Sequence, residues 1–265
     1  MSAALKLSSP SHLFWEVPIL YEDEYLLALD KPAGLPTVPD RADPDLPNLQ
    51  ALLHDAIERG VAWSRESGRA YLMPANSLDP EASGVLLLAK SKPVLEGLLN
   101  ALGSEIPGRT YVALVQGVPA EERFKSGAKV APNPVRPGAW RVDPQRGKRS
   151  FSAFAVLEKF AGYALLKCEA LTDRPHQLRV HLRNLGLPVA GDELYGGKPL
   201  LLSRLKSDYR LKPNRTERPL IAGPALHADA LNLAHPITGA ALEIRAPWPK
   251  DLTVAVKYLR RYALV

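Results

Sequence analysis

Short apolar stretches broken by turn-forming residues run the length of the chain, and their two periods, near 2 and near 3.6, alternate irregularly. Tyr25 to Leu29 predicts a strand closed by the turn Lys31-Pro32-Ala33-Gly34. Asn48 stands where a helix cap belongs, ahead of Leu49, Leu52, Leu53 and Ile57, with Gly60 as the stop. Val85 to Ala89 is continuously apolar, the pattern of a strand covered on both faces. Ser91 then caps a helix that tolerates Pro93 in its first turn and ends at Gly103. Tyr111–Val115, Phe151–Leu157 and Tyr163–Leu171 predict further strands. Leu178, Leu182 and Leu185 share a helical face that ends at Gly186, and Ala225–Leu233 and Ala241–Arg245 predict two last strands. Strands scattered among a few helices, without the strict alternation of a doubly wound sheet, point to an α+β fold.

Length and composition allow one large domain: 265 residues, 46% hydrophobic and 23% charged. No apolar run nears 18 residues and the N-terminus lacks a secretory pattern, so a cytoplasmic protein with no membrane partner is expected. The one cysteine, Cys168, lies in an apolar stretch and is expected to pack in the core. The net charge of +6 is unevenly spread. The first 60 residues carry four basic and ten acidic groups, residues 123–149 eight basic against Asp143 alone, and residues 197–218 seven basic against two acidic. Two basic segments of this kind are either solvated loops or a surface for a polyanion, which counterion release would favour.

Several chemistries lack their residues. There is no phosphate-cradling Gly-x-x-x-x-Gly-Lys-Ser/Thr, no Gly-x-Gly-x-x-Gly and no Gly-x-Ser-x-Gly. One cysteine and scattered histidines, with His176 and His181 five apart, give no zinc spacing, so no metal is expected. Two clusters remain. Asn76-Ser77-Leu78-Asp79-Pro80-Glu81-Ala82-Ser83-Gly84 is a polar turn feeding the apolar run at Val85, so Asp79 is either a turn cap or a carboxylate presented on a loop anchored by a core strand. Arg174, Arg179 and Arg183 lie within Thr172–Arg183, the last two one helical turn apart, as a surface stripe or a pocket wall.

Asn76 to Lys90 resembles the signature loop of the RluA-type pseudouridine synthases, His-Arg-Leu-Asp-x-x-Thr-Ser-Gly and an apolar strand. Arg109–Gly117 is similar to that family's tyrosine strand, Arg174–His181 to its Arg-Thr-His-Gln-Ile-Arg-Val-His segment, and Gly191–Gly196 follows at the matching place. With Tyr21–Gly34 and His227–Pro249 the likeness spans roughly Val17 to Leu252. It implies a mixed, largely antiparallel sheet with flanking helices, a catalytic domain over 17–265 after an extension at 1–16, and basic loops near 123–149 and 197–218. The likeness starts too early to leave room for an extra N-terminal RNA-binding module.

The resemblance also implies an isomerase that converts uridine to pseudouridine in ribosomal or transfer RNA, needing no cofactor, metal or obligatory protein partner. Asp79 takes the catalytic position, as nucleophile toward the sugar or as a base in glycal formation; Arg179 pairs with it and holds it ionised; Tyr111 lies against the base. Ser77, Leu78, Arg174, His176, Gln177 and Arg183 fall at substrate-binding positions. The chain departs from the pattern at Asn76-Ser77, where the family has His-Arg, at Ala82 for threonine, at Asp173 for glycine and at Pro175 for threonine. That arginine normally enters the space of the extruded base. Its loss leaves either an active synthase using another cation, Arg41 or Arg109, or an RNA-binding relative with weakened or lost catalysis.

Overall fold

The computed structural model describes residues 4–9, 11–40, 43, 45–65, 69–103, 108–211 and 215–264. In chain order, β1 (Ala4–Ser8), β2 (Phe14–Glu22) and β3 (Leu26–Lys31) precede α1 (Leu49–Glu58), β4 (Met73–Pro74), β5 (Ser83–Ala89) and α2 (Lys92–Gly103). Then come β6 (Arg109–Gln116), β7 (Arg123–Ser126), β8 (Val130–Pro132), β9 (Trp140–Val142), β10 (Ser152–Phe160) and β11 (Tyr163–Ala170). α3 (Gln177–Asn184), α4 (Leu202–Leu205), β12 (Leu226–Ala234), β13 (Ala241–Arg245) and α5 (Lys250–Tyr262) follow. The elements form two compact units, one of Met1–Gly108 with Ala228–Pro247, the other of Arg109–His227 with Trp248–Val265.

In the first unit the strands run β1-β2-β3-β5-β12, with β4 on β5 and β13 on β12. β3 and β5 pair antiparallel, Leu27 opposite Leu88 and Leu29 opposite Leu86. Strand alternation then sorts the side chains. Leu27, Leu29, Leu86 and Leu88 join Leu49, Leu52, Leu53 and Ala56 of α1 in one core. Leu26, Ala28, Val85, Leu87 and Ala89 join Val94 and Leu98 of α2 in another. A helix on each face explains why β5 is apolar at consecutive positions and buried throughout. The expected extension at 1–16 contributes to this sheet: β1 pairs with β2, and Leu5 and Leu7 are buried in the α1-side core.

α1 begins where Asn48 predicts, its Oδ1 accepting the Ala51 N–H at 3.0 Å. Two more N–H groups of that first turn, Leu49 and Gln50, donate to the carbonyls of Pro36 and Thr37 at 2.8 and 3.0 Å. The segment after the Lys31–Gly34 turn is thereby fixed to the helix.

In the second unit β6-β11-β10-β7 form an antiparallel run, while β8 and β9 make a separate two-stranded sheet. The basic segment 123–149 thus carries three short strands, β7, β8 and β9, joined by loops, rather than being a loop throughout. Cys168 on β11 is fully buried, and burial pushes its thiol well above the ordinary range, consistent with a packing role. In α3, Leu178 and Leu182 are buried, but Leu185 lies past the last turn and is exposed. The fold class is the α+β arrangement expected, a mostly antiparallel sheet with flanking helices.

Candidate active site

Asp79 is half-buried in the first unit, and the residues on either side of it are pinned. Thr37, itself buried, donates its hydroxyl to the Leu78 carbonyl and accepts the Leu78 N–H, both at 3.2 Å. The Pro80 carbonyl accepts the Gly34 N–H at 2.9 Å and the Lys31 ammonium at 3.2 Å. Lys31 is fully buried, and its three protons also reach the carbonyls of Pro32 at 3.0 Å and Leu35 at 2.7 Å. Burial drives its pKa down to about 7, against the opposing pull of the Asp79 and Glu81 carboxylates. Upstream, the buried Asn76 accepts the Leu87 N–H at 2.8 Å and donates to the Val85 carbonyl at 3.3 Å, tying the start of the loop to β5. Leu78 is buried and Ser77 is exposed.

The remaining expected site residues belong to the second unit. Arg179 is 2% exposed and forms a bidentate pair with Asp192, Nε to Oδ2 at 2.7 Å and Nη2 to Oδ1 at 2.9 Å. Its guanidinium also lies over the Tyr195 ring, 5.1 Å from the centroid. The Tyr195 hydroxyl accepts the Trp140 N–H at 2.9 Å and meets His176 Nδ1 at 2.7 Å. His176 itself holds a left-handed backbone, φ 54°, at the entry to α3. Gln177 is buried: its carbonyl accepts from Thr172 Oγ1 at 2.7 Å, and its amide donates to Phe151 O and Ser152 Oγ. Arg183 donates to the Tyr195 carbonyl at 2.7 Å, and Arg174 to the Arg149 carbonyl at 3.2 Å. Tyr111 sits on β6 opposite Cys168.

Arg109, one candidate for the missing cation, is buried and paired with Asp173 at 2.7 Å, so its charge is already offset by the residue that replaces the family's glycine. The other candidate, Arg41, lies outside the described residues. Among the described residues no cluster of three or more His, Cys, Asp or Glu side chains is placed to hold a metal, and no helix is long and apolar enough to cross a membrane.

The family model for RNA pseudouridylate synthase matches residues 25–184, which include Asp79, Tyr111 and Arg179. The chain belongs to that family. It is 31% identical over 242 residues to the ribosomal large subunit pseudouridine synthase D of Haemophilus ducreyi, covering 91% of this chain and 70% of that protein. The Pseudomonas aeruginosa protein of the same name is 32% identical over 255 residues, with 93% and 72% covered. The solved structure of human RNA pseudouridylate synthase domain containing 1 shares the fold at a TM-score of 0.63 and 23% identity, over 90% of this chain and 87% of that one. This RNA pseudouridylate synthase is therefore an isomerase acting on uridine in RNA.

Within this synthase, Lys31 and Thr37 fix the backbone beside Asp79, and Asp192 and Tyr195 hold Arg179, yet sequence reasoning assigned none of them a role. Lys31, Asp192 and Tyr195 stood in segments already matched to the family pattern, and that was their only signal. Thr37 had none.

Proposed function

We propose that this chain converts uridine to pseudouridine in ribosomal RNA, in the cytosol, with Asp79 as its catalytic carboxylate. The observation that carries the assignment is the anchoring of Leu78 and Pro80 by Thr37, Lys31 and Gly34, which holds the carboxylate's backbone on both sides. Preorganised backbone of this kind lets a loop residue meet a reacting atom without reordering cost. Asp79 acts on the ribose, by bonding to C1′ or by removing the C2′ proton. The N1–C1′ bond breaks, uracil turns, and C5 bonds to C1′ as the Asp79–C1′ bond breaks or, on the other route, as the proton returns to C2′; the C5 proton is then lost while N1 gains one. The sum is an isomerisation, and no cofactor is consumed.

Tyr111 is the residue assigned to the turning base and Arg179 the cation assigned to the carboxylate. Arg174, His176, Gln177, Arg183, Ser77 and Leu78 are assigned to substrate binding, with Gln177 acting through Thr172 and Ser152, to which its amide is committed. Ribosomal rather than transfer RNA is favoured by the names of the two bacterial relatives. The target uridine must leave its stack, at a cost of about a few kcal/mol.

A second reading, an RNA-binding relative with weak or lost catalysis, is favoured by Ser77 in place of arginine and by the engagement of Arg109 with Asp173. One assay separates them: incubate ribosomal RNA transcripts with the wild type and with Asp79→Ala, then map pseudouridine and measure binding. New pseudouridine made only by the wild type, with both proteins bound, is expected. Binding without any new pseudouridine selects the second reading.

A further inference from the structure

A cavity of about 630 Å³ opens in the second unit, within the usual range of about 300–1,000 Å³ for ligand sites; Arg136, Trp140, Arg183, Asn184 and Glu193 are among the residues lining it. None of these belongs to the Asp79 loop, and only Arg183 was expected near substrate. The β8–β9 hairpin forms one wall, with Trp140 opposite Pro132 in its register. Its connecting loop is set by Asn133, whose Oδ1 accepts the N–H groups of Val135 at 3.0 Å and Arg136 at 3.2 Å. Trp140 is only partly buried, packs against the cluster of Val130, Val180 and Tyr195, and is fixed through its backbone N–H on the Tyr195 hydroxyl.

The cations are held as firmly as the ring. Arg136 donates to the Leu194 carbonyl at 2.9 Å and Arg183 to the Tyr195 carbonyl at 2.7 Å. Anchored on consecutive carbonyls, two forked guanidiniums are presented to one cavity, and each has five donors, so one carbonyl bond orients it without exhausting it. Three arginines, Arg136, Arg141 and Arg183, line the cavity against Glu193; Arg141 is also paired with Asp143 at 2.8 Å, and the surplus of positive charge left by the other two suits a phosphodiester. The Asn184 amide and the Glu193 carboxylate supply a donor–acceptor pair suited to a base edge, and an indole is a stacking platform that any base accepts.

We infer that this cavity binds one unstacked nucleotide of the RNA, base on Trp140 and phosphate on Arg136 and Arg183, as a subsite additional to the uridine that reacts. The inference rests on the reading of the chain as an RNA-acting enzyme. An acidic protein segment would use the guanidiniums equally well but would gain nothing from the indole, so Trp140 decides between the two occupants.

The test is equilibrium binding of a labelled single-stranded RNA to the full chain, wild type beside Trp140→Leu, Trp140→Phe and Arg136→Ala, with thermal melts of each. Trp140→Leu is expected to weaken binding about tenfold, Trp140→Phe to retain most of it, and Arg136→Ala to reduce the salt slope by about one. Photo-crosslinking of 4-thiouridine RNA should label Trp140. Wild-type affinity in a folded Trp140→Leu, or crosslinks confined to other segments, overturns the inference. So does polyglutamate binding with the same Trp140 dependence as RNA. Pseudouridine mapping in the same samples keeps the two failures apart. Trp140-dependent RNA binding by a wild type that makes no pseudouridine supports the cavity and defeats the enzyme reading. Isomerisation lost in Asp79→Ala, with binding unchanged in Trp140→Leu, does the reverse.

Discussion

Asp192 holds Arg179 by both carboxylate oxygens, in surroundings that leave the two side chains 1% and 2% exposed. A buried ion pair contributes little net stability, but removing one partner strands the other charge, at about 3–5 kcal/mol. Asp192→Asn keeps the shape and deletes the charge. It should lower the denaturation midpoint and cut kcat by about tenfold or more, the latter corresponding to ~1.4 kcal/mol of barrier. If Arg179 serves Asp79 as proposed, KM should change little, because the pair then sets an orientation rather than a contact with RNA. Steady-state kinetics and denaturant melts of the two proteins check both effects, and unchanged kcat would remove Arg179 from the reaction.

Lys31 gives a pH dependence whose sign is fixed by burial. Its folded pKa of about 7 lies below that of the unfolded lysine, so between these values the unfolded chain binds more protons and stability rises with pH. Asp30, pushed up to about 6 by burial, is ionised throughout that range; the raised thiol of Cys168 opposes the trend once pH enters the ordinary thiol range, about 8.5, but does so equally in a Lys31 variant. Lys31→Met leaves the carbonyls of Pro32, Leu35 and Pro80 without their shared donor, each at a cost of about 1–3 kcal/mol. The variant should be less stable at every pH and should lack the rise between about pH 7 and 9. Urea midpoints across that window, wild type against variant, measure it; parallel curves would assign the slope elsewhere.

What the sequence disclosed depended on whether the signal was local. The run at Val85–Leu88 announced a strand covered on both faces, because its neighbours in the chain carry the whole pattern. Asn48 announced the start of α1 for the same reason. β8 and β9 are three residues each, within a segment whose dominant feature is charge, so neither hydrophobic period had room to show. Lys31 reads as a surface residue until the carbonyls that surround it are known, one of them 49 positions away. Asp192 reads as one carboxylate among many, because its partner is thirteen residues upstream. The candidate residues were legible through motif likeness, and the contacts that orient them were not.

Ser77 is exposed, so the loop has room for a longer side chain at the position where the family pattern has arginine. Ser77→Arg should therefore fold normally and raise kcat/KM on structured RNA. A regained charge-assisted phosphate contact is worth about 1.5–3 kcal/mol, roughly ten- to a hundredfold. The gain should shrink on single-stranded RNA, where less base pairing opposes extrusion. Kinetics on the two substrates checks this. An equal change on both would mean that the arginine adds only nonspecific attraction.

Gly84 joins the Asp79 loop to β5, and its backbone explains why no other residue fits. Its φ of +113° lies where L side chains are rarely found, and a Cβ there would stand 2.2 Å from the Ala228 carbonyl oxygen and 2.7 Å from the Ala228 nitrogen. Both obstacles are backbone of β12, which cannot rotate away, so Gly84→Ala must either strain the strand or push the loop off it. Backbone strain of this kind costs about 1–3 kcal/mol and overpacking a similar amount again. Stability should fall by several kcal/mol. Activity should fall further than stability alone explains, because the displaced segment carries Asp79. The decisive comparison is Gly223→Ala, where an added Cβ would meet nothing within 4 Å and the backbone is not left-handed, so both quantities should stay nearly unchanged. If Gly84→Ala melts like the wild type, the close approach of β12 does not hold the Asp79 loop in place.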